Sequence, residues 1–210
     1  MVTPDKPARL FVIAAPSGAG KTTLVKELVR RNPELVFSIS YTTRARRPNE
    51  VEGSDYFFVN EARFRELEEQ GELLESARVF GNLYGTSRSQ VESRLGEGRS
   101  VVLEIDWQGA RQVRRRRPDC VSIFILPPSG TELDRRLRGR GTDDEATIER
   151  RLADALSDMS HWDEFDYCVV NDRLENAVAR LEAIAEGGGA GSRCRDPALR
   201  RRIEAIVDDL

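Results

Sequence analysis

The sequence predicts an α/β fold in which helices flank a parallel sheet. Four apolar runs are short, rich in branched side chains, and separated by stretches with helical periodicity, which is typical of buried parallel strands. These runs are Leu10 to Ala14, Val101 to Ile105, Val121 to Leu126 and Tyr167 to Val170. Because strand and helix alternate along the chain, we expect a doubly wound sheet.

The first predicted strand leads directly into a glycine-rich turn that ends in Lys-Thr. The turn comprises Ala15, Pro16, Ser17, Gly18, Ala19, Gly20, Lys21 and Thr22. In such a turn the backbone N–H groups and the helix N-terminus bind phosphate oxygens. The lysine reaches the β and γ phosphates, and the threonine hydroxyl binds Mg²⁺. We therefore predict a P-loop NTPase-type sheet that binds a nucleoside triphosphate. The alternative is a structural β-to-α turn with an exposed lysine.

The pattern changes from about Leu35 to Leu83, where the predicted strands are shorter. We expect strands from Asp55 to Val59 and from Leu73 to Phe80, together with a helix from Glu61 to Gln70. This stretch predicts an inserted, partly antiparallel lobe.

Capping residues predict where the later helices begin. The candidates are Ser87 with Gln90, Asp106 before Trp107, Thr142 with Glu145, Asn171 or Asp172 for the helix through Ile184, and Asp196 before Pro197. A helix that begins near Thr131 is interrupted by Gly139-Arg140-Gly141, which predicts a hinged flap. The glycines from Gly187 to Gly191 predict a flexible joint before a last helix that ends at about Val207.

Composition bounds the function. With 33 Lys and Arg against 36 Asp and Glu in 210 residues, the net charge of -3 gives no general attraction for nucleic acid or anionic membranes. The run Arg114 to Arg117 fits a solvated helix end. His161 is the only histidine, so the sequence gives little support for a Ser-His-Asp catalytic triad. The three cysteines lack the spacing of metal ligands, and no stretch has the length of a membrane span, so we expect a cytoplasmic protein. The sequence does not determine the oligomeric state.

An arginine-rich segment lies in the predicted lobe. Residues Ser40 to Glu50 place three arginines beside hydroxyl side chains in a turn-rich stretch. Arginine forks bind phosphate through paired hydrogen bonds. A solvated surface loop is the alternative, but a chain that already binds a donor nucleotide also needs a site for an acceptor.

Six motifs in order resemble the guanylate kinases, which transfer the γ-phosphoryl group of ATP to GMP. The motifs are Ala15 to Thr22, Ser40 to Glu50 followed by Gly53 to Tyr56, Glu75, Gly81 to Thr86, Glu104 to Gly109, and Arg136 to Gly141. The resemblance implies one domain with a core at about residues 9–34 and 98–186. It also implies a GMP-binding lobe at about 35–86, a lid at about 136–151, and a C-terminal linker and helix at 187–210.

The resemblance also implies roles for individual residues. ATP and Mg²⁺ would be bound by Ala15 to Thr22 together with Thr23, with Thr22 on the metal. The GMP phosphate would be held by Arg44, Arg47, Tyr56 and Tyr84, and the guanine base by Ser40, Glu75, Thr86 and Asp106. The implied catalytic residues are Lys21, Arg136, Arg140 and Arg151.

Glu104 departs from the family pattern, which usually has aspartate there, and its longer side chain moves the charge by about one carbon–carbon bond. dGMP is a further expected acceptor. Two other functions remain open: a catalytically silent binding module of the guanylate-kinase type, and a P-loop kinase that acts on another phosphorylated acceptor. The intact Gly20-Lys21-Thr22 disfavours the first, and the retained acceptor residues disfavour the second.

Overall fold

The computed structural model describes residues 7–79, 81–139 and 144–208. Its strands are β1 (Leu10–Ala14), β2 (Leu35–Phe37), β3 (Ser40–Thr42), β4 (Phe57–Phe58), β5 (Leu73–Val79), β6 (Asn82–Ser87), β7 (Ser100–Glu104), β8 (Val121–Leu126) and β9 (Tyr167–Val170). Its α-helices are α1 (Lys21–Arg31), α2 (Glu61–Glu69), α3 (Arg88–Gly96), α4 (Trp107–Arg116), α5 (Gly130–Arg138), α6 (Glu145–Met159), α7 (Leu174–Ala185) and α8 (Pro197–Asp208).

The predicted α/β fold class is confirmed. One sheet has the strand order β2-β7-β1-β8-β9, and the pairs β2 with β7 and β8 with β9 are parallel. Every residue of β1, β8 and β9 is buried, as expected for strands that are covered on both faces. All four apolar runs of the sequence form strands of this sheet. Strand β2, which the sequence pattern assigns to the inserted lobe, also belongs to it.

The chain divides into two compact units. The first contains the residues up to Val12 and Asn32–Val121, and the second contains Ile13–Arg31 and Ser122–Leu210. The single-domain organisation implied by the resemblance, with its core, lobe and lid boundaries, stays a prediction.

The first unit contains a four-stranded sheet with the order β4-β3-β6-β5. Strand β6 pairs antiparallel with β3 and β5, whereas β3 and β4 are parallel, so the sheet is mixed. An apolar cluster of Phe64, Leu67, Leu73 and Leu83 packs helix α2 against the sheet. The strand predicted from Asp55 to Val59 is shorter than expected, and β6 is a strand that the sequence pattern alone did not reveal.

A β-bulge interrupts β5. Leu73 pairs with Ser87 and Glu75 pairs with Thr86, so Leu74 is the extra residue. Leu73 belongs to the apolar cluster beside α2, and Ser76 Oγ donates to Glu68 Oε1 of α2 at 2.5 Å. Residues three apart face opposite sides of a regular strand. The bulge therefore brings Leu73 and Ser76 to the α2 face and turns Glu75 away from it.

Three predicted helix caps are confirmed. Ser87 accepts a hydrogen bond from the backbone of Gln90, Asp106 from Gly109, and Asp196 from Leu199. These side chains satisfy backbone N–H groups that a helix start leaves without partners.

Two cap predictions were wrong. A Thr142 cap with Glu145 at the third helical position predicts a helix that begins at residue 143. Helix α6 instead begins at Glu145, and its cap is Asp144, which accepts from the backbone of Thr147. Thr142 lies outside the described residues. Helix α7 begins after Arg173, without a side-chain cap, because Asn171 donates elsewhere and Asp172 binds the backbone of Arg173.

The C-terminal segment packs on strand β9. Gly187 and Gly189 have positive φ angles of 91° and 78° in the turn that was predicted to be a flexible joint. The backbone N–H of Cys194 donates to Asp166 O at 3.1 Å, and its Sγ lies 2.8 Å from that of Cys168 on β9. None of the described helices is long and apolar enough to cross a bilayer.

Candidate active site

The predicted phosphate-binding loop lies between a strand and a helix as expected, because β1 ends at Ala14 and α1 begins at Lys21. Gly18 and Gly20 adopt φ angles of 87° and 90°, a region that residues with a Cβ rarely occupy. A Cβ on Gly18 would lie 2.8 Å from a methyl of Leu133, and one on Gly20 would lie 2.5 Å from Asn171 Nδ2. Both glycines are therefore required by the backbone angle and by close packing.

Two side chains hold the carbonyl oxygen of Ala19 inside this loop. Asn171 Nδ2 donates to it at 2.8 Å and Arg136 Nη1 at 3.2 Å. Arg136 also donates from Nη2 to Asn171 O at 3.1 Å and from Nε to Glu132 at 2.7 Å. Asn171 follows β9 and Arg136 lies on α5, so two elements distant in sequence fix one peptide of the loop.

The structure describes the surroundings of the predicted catalytic arginines in different detail. Arg136 lies directly against the loop through the Ala19 carbonyl. Its partner Glu132 carries hydrogen bonds from Arg135 and Arg136, which lower the pKa of Glu132 to about 2. Arg151 is half-buried on α6. Arg140 lies outside the described residues. Lys21 is half-buried at the start of α1, and Thr22 and Thr23 are exposed in its first turn.

In the first unit, Arg44 is fixed by Glu50. Arg44 Nη2 lies 2.6 Å from Glu50 Oε1, and the guanidinium carbon of Arg44 stands 5.4 Å from the ring centre of Tyr56. Partial burial acts to lower the pKa of Arg44, but the hydrogen bond with Glu50 and the nearby Tyr84 raise it. Arg44 is therefore a fixed cation.

The other predicted phosphate-binding residues surround Arg44. Tyr56 and Tyr84 make an edge contact with ring centres 6.0 Å apart. Burial and the charge of Glu104 raise the pKa of Tyr56 to about 12, so its hydroxyl stays a donor. Arg47 is 69% exposed, and its backbone N–H donates to Glu50 Oε2 at 2.8 Å. One carboxylate, Glu50, thus organises both arginines.

The predicted base-binding residues form a row across the sheet. Ser40 on β3 pairs with Thr86 on β6, and Glu75 on β5 pairs with the same Thr86. Thr86 Oγ1 donates to Glu75 Oε1 at 2.6 Å. All three side chains are buried, with Glu75 only 2% exposed. The strand register thereby brings together three residues that are up to 46 positions apart, taking Ser40 to Thr86.

Glu75 contacts the start of helix α4. A Cβ on Gly109 would lie 2.5 Å from Glu75 Oε2, so only glycine leaves room for the carboxylate. Burial, together with the charge of Asp106, raises the pKa of Glu75 to about 7 in spite of the hydrogen bond from Thr86. Asp106 Oδ1 is the α4 cap and accepts from Gly109 N at 2.7 Å. The predicted cap and the predicted base contact are the same residue.

Sequence reasoning missed several residues that organise these two sets of side chains. Gly109 and Asn171 act through contacts with residues far away in the chain. Glu50 instead lies close in sequence to Arg44, to which it binds. Only Glu50 carried a local signal, because it closes the arginine-rich segment.

Comparison with known proteins decides the family. A family model described as guanylate kinase matches residues 7–187 of this chain. The chain belongs to the guanylate kinase family. It is 56% identical over 201 residues to a guanylate kinase of Alkalilimnicola ehrlichii, covering 96% of this chain and 99% of that protein. It is 47% identical over 203 residues to the guanylate kinase of Escherichia coli K12, covering 96% of each chain.

A solved structure agrees with the fold. The crystal structure of guanylate kinase from Anaplasma phagocytophilum superposes with a TM-score of 0.73 at 36% sequence identity, covering 95% of this chain and 96% of that one. The resemblance stated from six motifs is thus confirmed, and the chain is an enzyme of the guanylate kinase type.

Proposed function

We propose that this protein transfers the γ-phosphoryl group of ATP to GMP and produces ADP and GDP. The observation that carries the proposal is the buried row of Ser40, Thr86 and Glu75 in the first unit. Guanine presents N1–H and its N2 amino group side by side, so a carboxylate such as Glu75 can accept from both. Adenine offers neither an N1–H nor an N2 amino group, so that buried carboxylate would receive no hydrogen bond from the base, and sites of this kind discriminate by roughly 10⁴ to 10⁵.

The proposed contacts to the GMP phosphate are Arg44, Arg47, Tyr56 and Tyr84. Two cations with two phenol donors suit a dianionic monoester. The ion pair of Arg44 with Glu50 supports this role, because a guanidinium that is already oriented loses less freedom when the ligand arrives.

The phosphate-binding loop is proposed to hold ATP together with Mg²⁺. Thr22 stands at the first turn of α1, where its hydroxyl suits a hard cation. The described residues contain no cluster of three or more His, Cys, Asp or Glu side chains that could hold a metal by themselves. A single hydroxyl from the protein fits a cation that is carried mainly by the nucleotide phosphates and waters. This cation would neutralise charge on the transferring group.

No strong general base is required in this reaction. The accepting phosphate is largely dianionic near neutral pH, with a second pKa of about 6. The side chains then have to hold the two anions and neutralise charge. We assign this task to Lys21, Arg136 and Arg151, and to Arg140 by the family resemblance. Closure of the proposed lid would exclude water, which competes for the phosphoryl group.

The test is a coupled assay of ADP release with GMP, dGMP, AMP and a sugar phosphate as acceptors. We expect turnover with GMP, lower but measurable turnover with dGMP, and little with AMP. Glu75→Gln should lower kcat/KM for GMP while the KM for ATP stays unchanged. A sugar phosphate as the preferred acceptor, or ATP binding without any ADP release, would refute the proposal. The first result would support another kinase and the second a silent binding module.

A further inference from the structure

Strand β5 carries Glu75 at the edge of the four-stranded sheet. An edge strand has a row of backbone N–H and C=O groups that no neighbouring strand pairs. The bulge at Leu74 adds to this problem, because an extra residue locally disrupts the ladder. The backbone on both sides of Glu75 therefore needs partners from outside the sheet if the carboxylate is to keep one position.

Helix α4 supplies a partner after Glu75. The side-chain amide of Gln112 accepts from Ser76 N at 3.2 Å and donates to Ser76 O at 2.6 Å. This pair of bonds reproduces what a neighbouring strand would give to a residue at the edge. Gln112 thus fixes the peptide groups immediately after Glu75.

The same helix supplies a partner before Glu75. Arg116 Nη1 donates to Leu73 O at 3.4 Å and makes a short contact with Leu74 O. These carbonyls belong to the bulge and the residue before it. Arg116 also lies close enough for its charge to favour the ionised form of Glu75. Because Gln112 and Arg116 are four positions apart, they lie on one face of α4.

We propose that Gln112 and Arg116 are positioning residues for Glu75, and that they set the preference for guanine by holding the β5 backbone on both sides of it. This inference rests on the proposed function, in which Glu75 reads the guanine base. Neither side chain needs to touch GMP. A backbone shift of the bulge would move the carboxylate away from the guanine N1–H and N2 amino group, so the loss would appear in GMP recognition.

The experiment compares Gln112→Leu, Arg116→Met and Arg116→Lys with the wild-type chain. We expect Gln112→Leu and Arg116→Met to raise the KM for GMP about tenfold and to lower the GMP-to-AMP ratio of kcat/KM by a similar factor. Turnover at saturating GMP and the KM for ATP should change by less than about twofold. Arg116→Lys keeps one cationic donor, so it should restore much of the GMP affinity.

The matched control is Arg115→Ala, because Arg115 is an exposed neighbour on the same helix. It should leave both KM values unchanged. A purely structural role for Gln112 would reduce the folded fraction, and hence the apparent turnover with every substrate, without changing the KM for GMP or the selectivity. That outcome would overturn the inference. If Gln112→Leu does not fold, the partly exposed Arg116 and its two variants decide the question by the same readouts.

The two proposals fail differently. If the wild-type chain phosphorylates GMP in preference to AMP but all the variants keep that preference, only the positioning role is lost. If the wild-type chain does not phosphorylate GMP, the proposed function itself is lost.

Discussion

The hydroxyl of Thr86 donates a 2.6 Å hydrogen bond to Oε1 of Glu75, and both side chains are almost completely buried. Because the hydroxyl is a donor here, it favours the ionised carboxylate, whereas burial favours the neutral acid. Burial dominates and raises the pKa of Glu75 to about 7. This carboxylate therefore titrates near neutral pH in the folded protein. Its charge state bears on stability and, under the proposed function, on GMP recognition.

The first prediction concerns stability against pH. The pKa of Glu75 rises from an ordinary 4.5 in the unfolded chain to about 7 in the folded one. Between these values the folded state binds more protons, so this group's contribution is complete below 4.5 and is lost as the pH rises through about 7. We expect a loss on the order of 3 kcal/mol, measurable by urea unfolding between pH 4.5 and 8. Glu75→Gln should abolish this pH-dependent loss of stability. If the free energy of unfolding of the variant depends on pH in the same way as that of the wild type, the prediction is contradicted.

The same titration predicts that GMP recognition improves as the pH rises. Only the ionised carboxylate can accept from both guanine donors, so the KM for GMP should fall between about pH 6 and 8. The GMP phosphate also titrates near pH 6, and this second process should persist in Glu75→Gln. The difference between the two KM profiles isolates Glu75. Parallel profiles for the two proteins would show that Glu75 does not recognise GMP through its charge.

Gly109→Ala should impair GMP recognition. A Cβ at this position would lie 2.5 Å from Glu75 Oε2, so the carboxylate or helix α4 must move. We expect the KM for GMP to rise by roughly tenfold or more, with little change in the KM for ATP. The control is Gly96→Ala on α3, where a Cβ would meet nothing within 4 Å. Equal effects of the two substitutions would show that helix propensity, and not the contact with Glu75, is responsible.

Asn171→Ala should weaken ATP binding. The substitution removes the 2.8 Å hydrogen bond to Ala19 O and leaves only Arg136 on that carbonyl. We expect the KM for ATP to rise several-fold and the free energy of unfolding to fall by about 1 to 3 kcal/mol. The KM for GMP should stay constant. The control is Asn176→Ala, which changes an exposed asparagine on α7 and should leave both KM values unchanged. A rise in the KM for GMP alone would refute this assignment.

Glu50→Gln should raise the KM for GMP by releasing Arg44. The carboxylate accepts from Arg44 Nη2 at 2.6 Å and from Arg47 N at 2.8 Å, and the neutral amide lacks its charge. Burial acts to raise the pKa of Glu50, but these two hydrogen bonds lower it, so the pair persists well into the acidic range. We expect a several-fold effect in steady-state kinetics. Glu34→Gln, at an exposed carboxylate, is the control. An increase in GMP affinity would instead mean that Glu50 competes with the phosphate for Arg44.

The sequence by itself determined the features that depend on neighbouring residues. The four core strands, the strand–loop–helix unit around Lys21 and the caps Ser87, Asp106 and Asp196 all follow from local periodicity and local hydrogen bonding. The family motifs are short runs of adjacent residues, so they too can be recognised without a structure.

Only the tertiary structure decided how those pieces support each other. The Leu74 bulge turns Glu75 away from α2, and no local pattern marks a bulge whose need comes from a helix elsewhere in the chain. Gln112 binds Ser76 across 36 residues, and Asn171 binds Ala19 across 152. Asn171 or Asp172 was predicted to cap α7, but the Asn171 side chain donates to the buried carbonyl of Ala19 instead, and α7 begins without a side-chain cap. Such preferences depend on burial, which exists only once distant segments have packed.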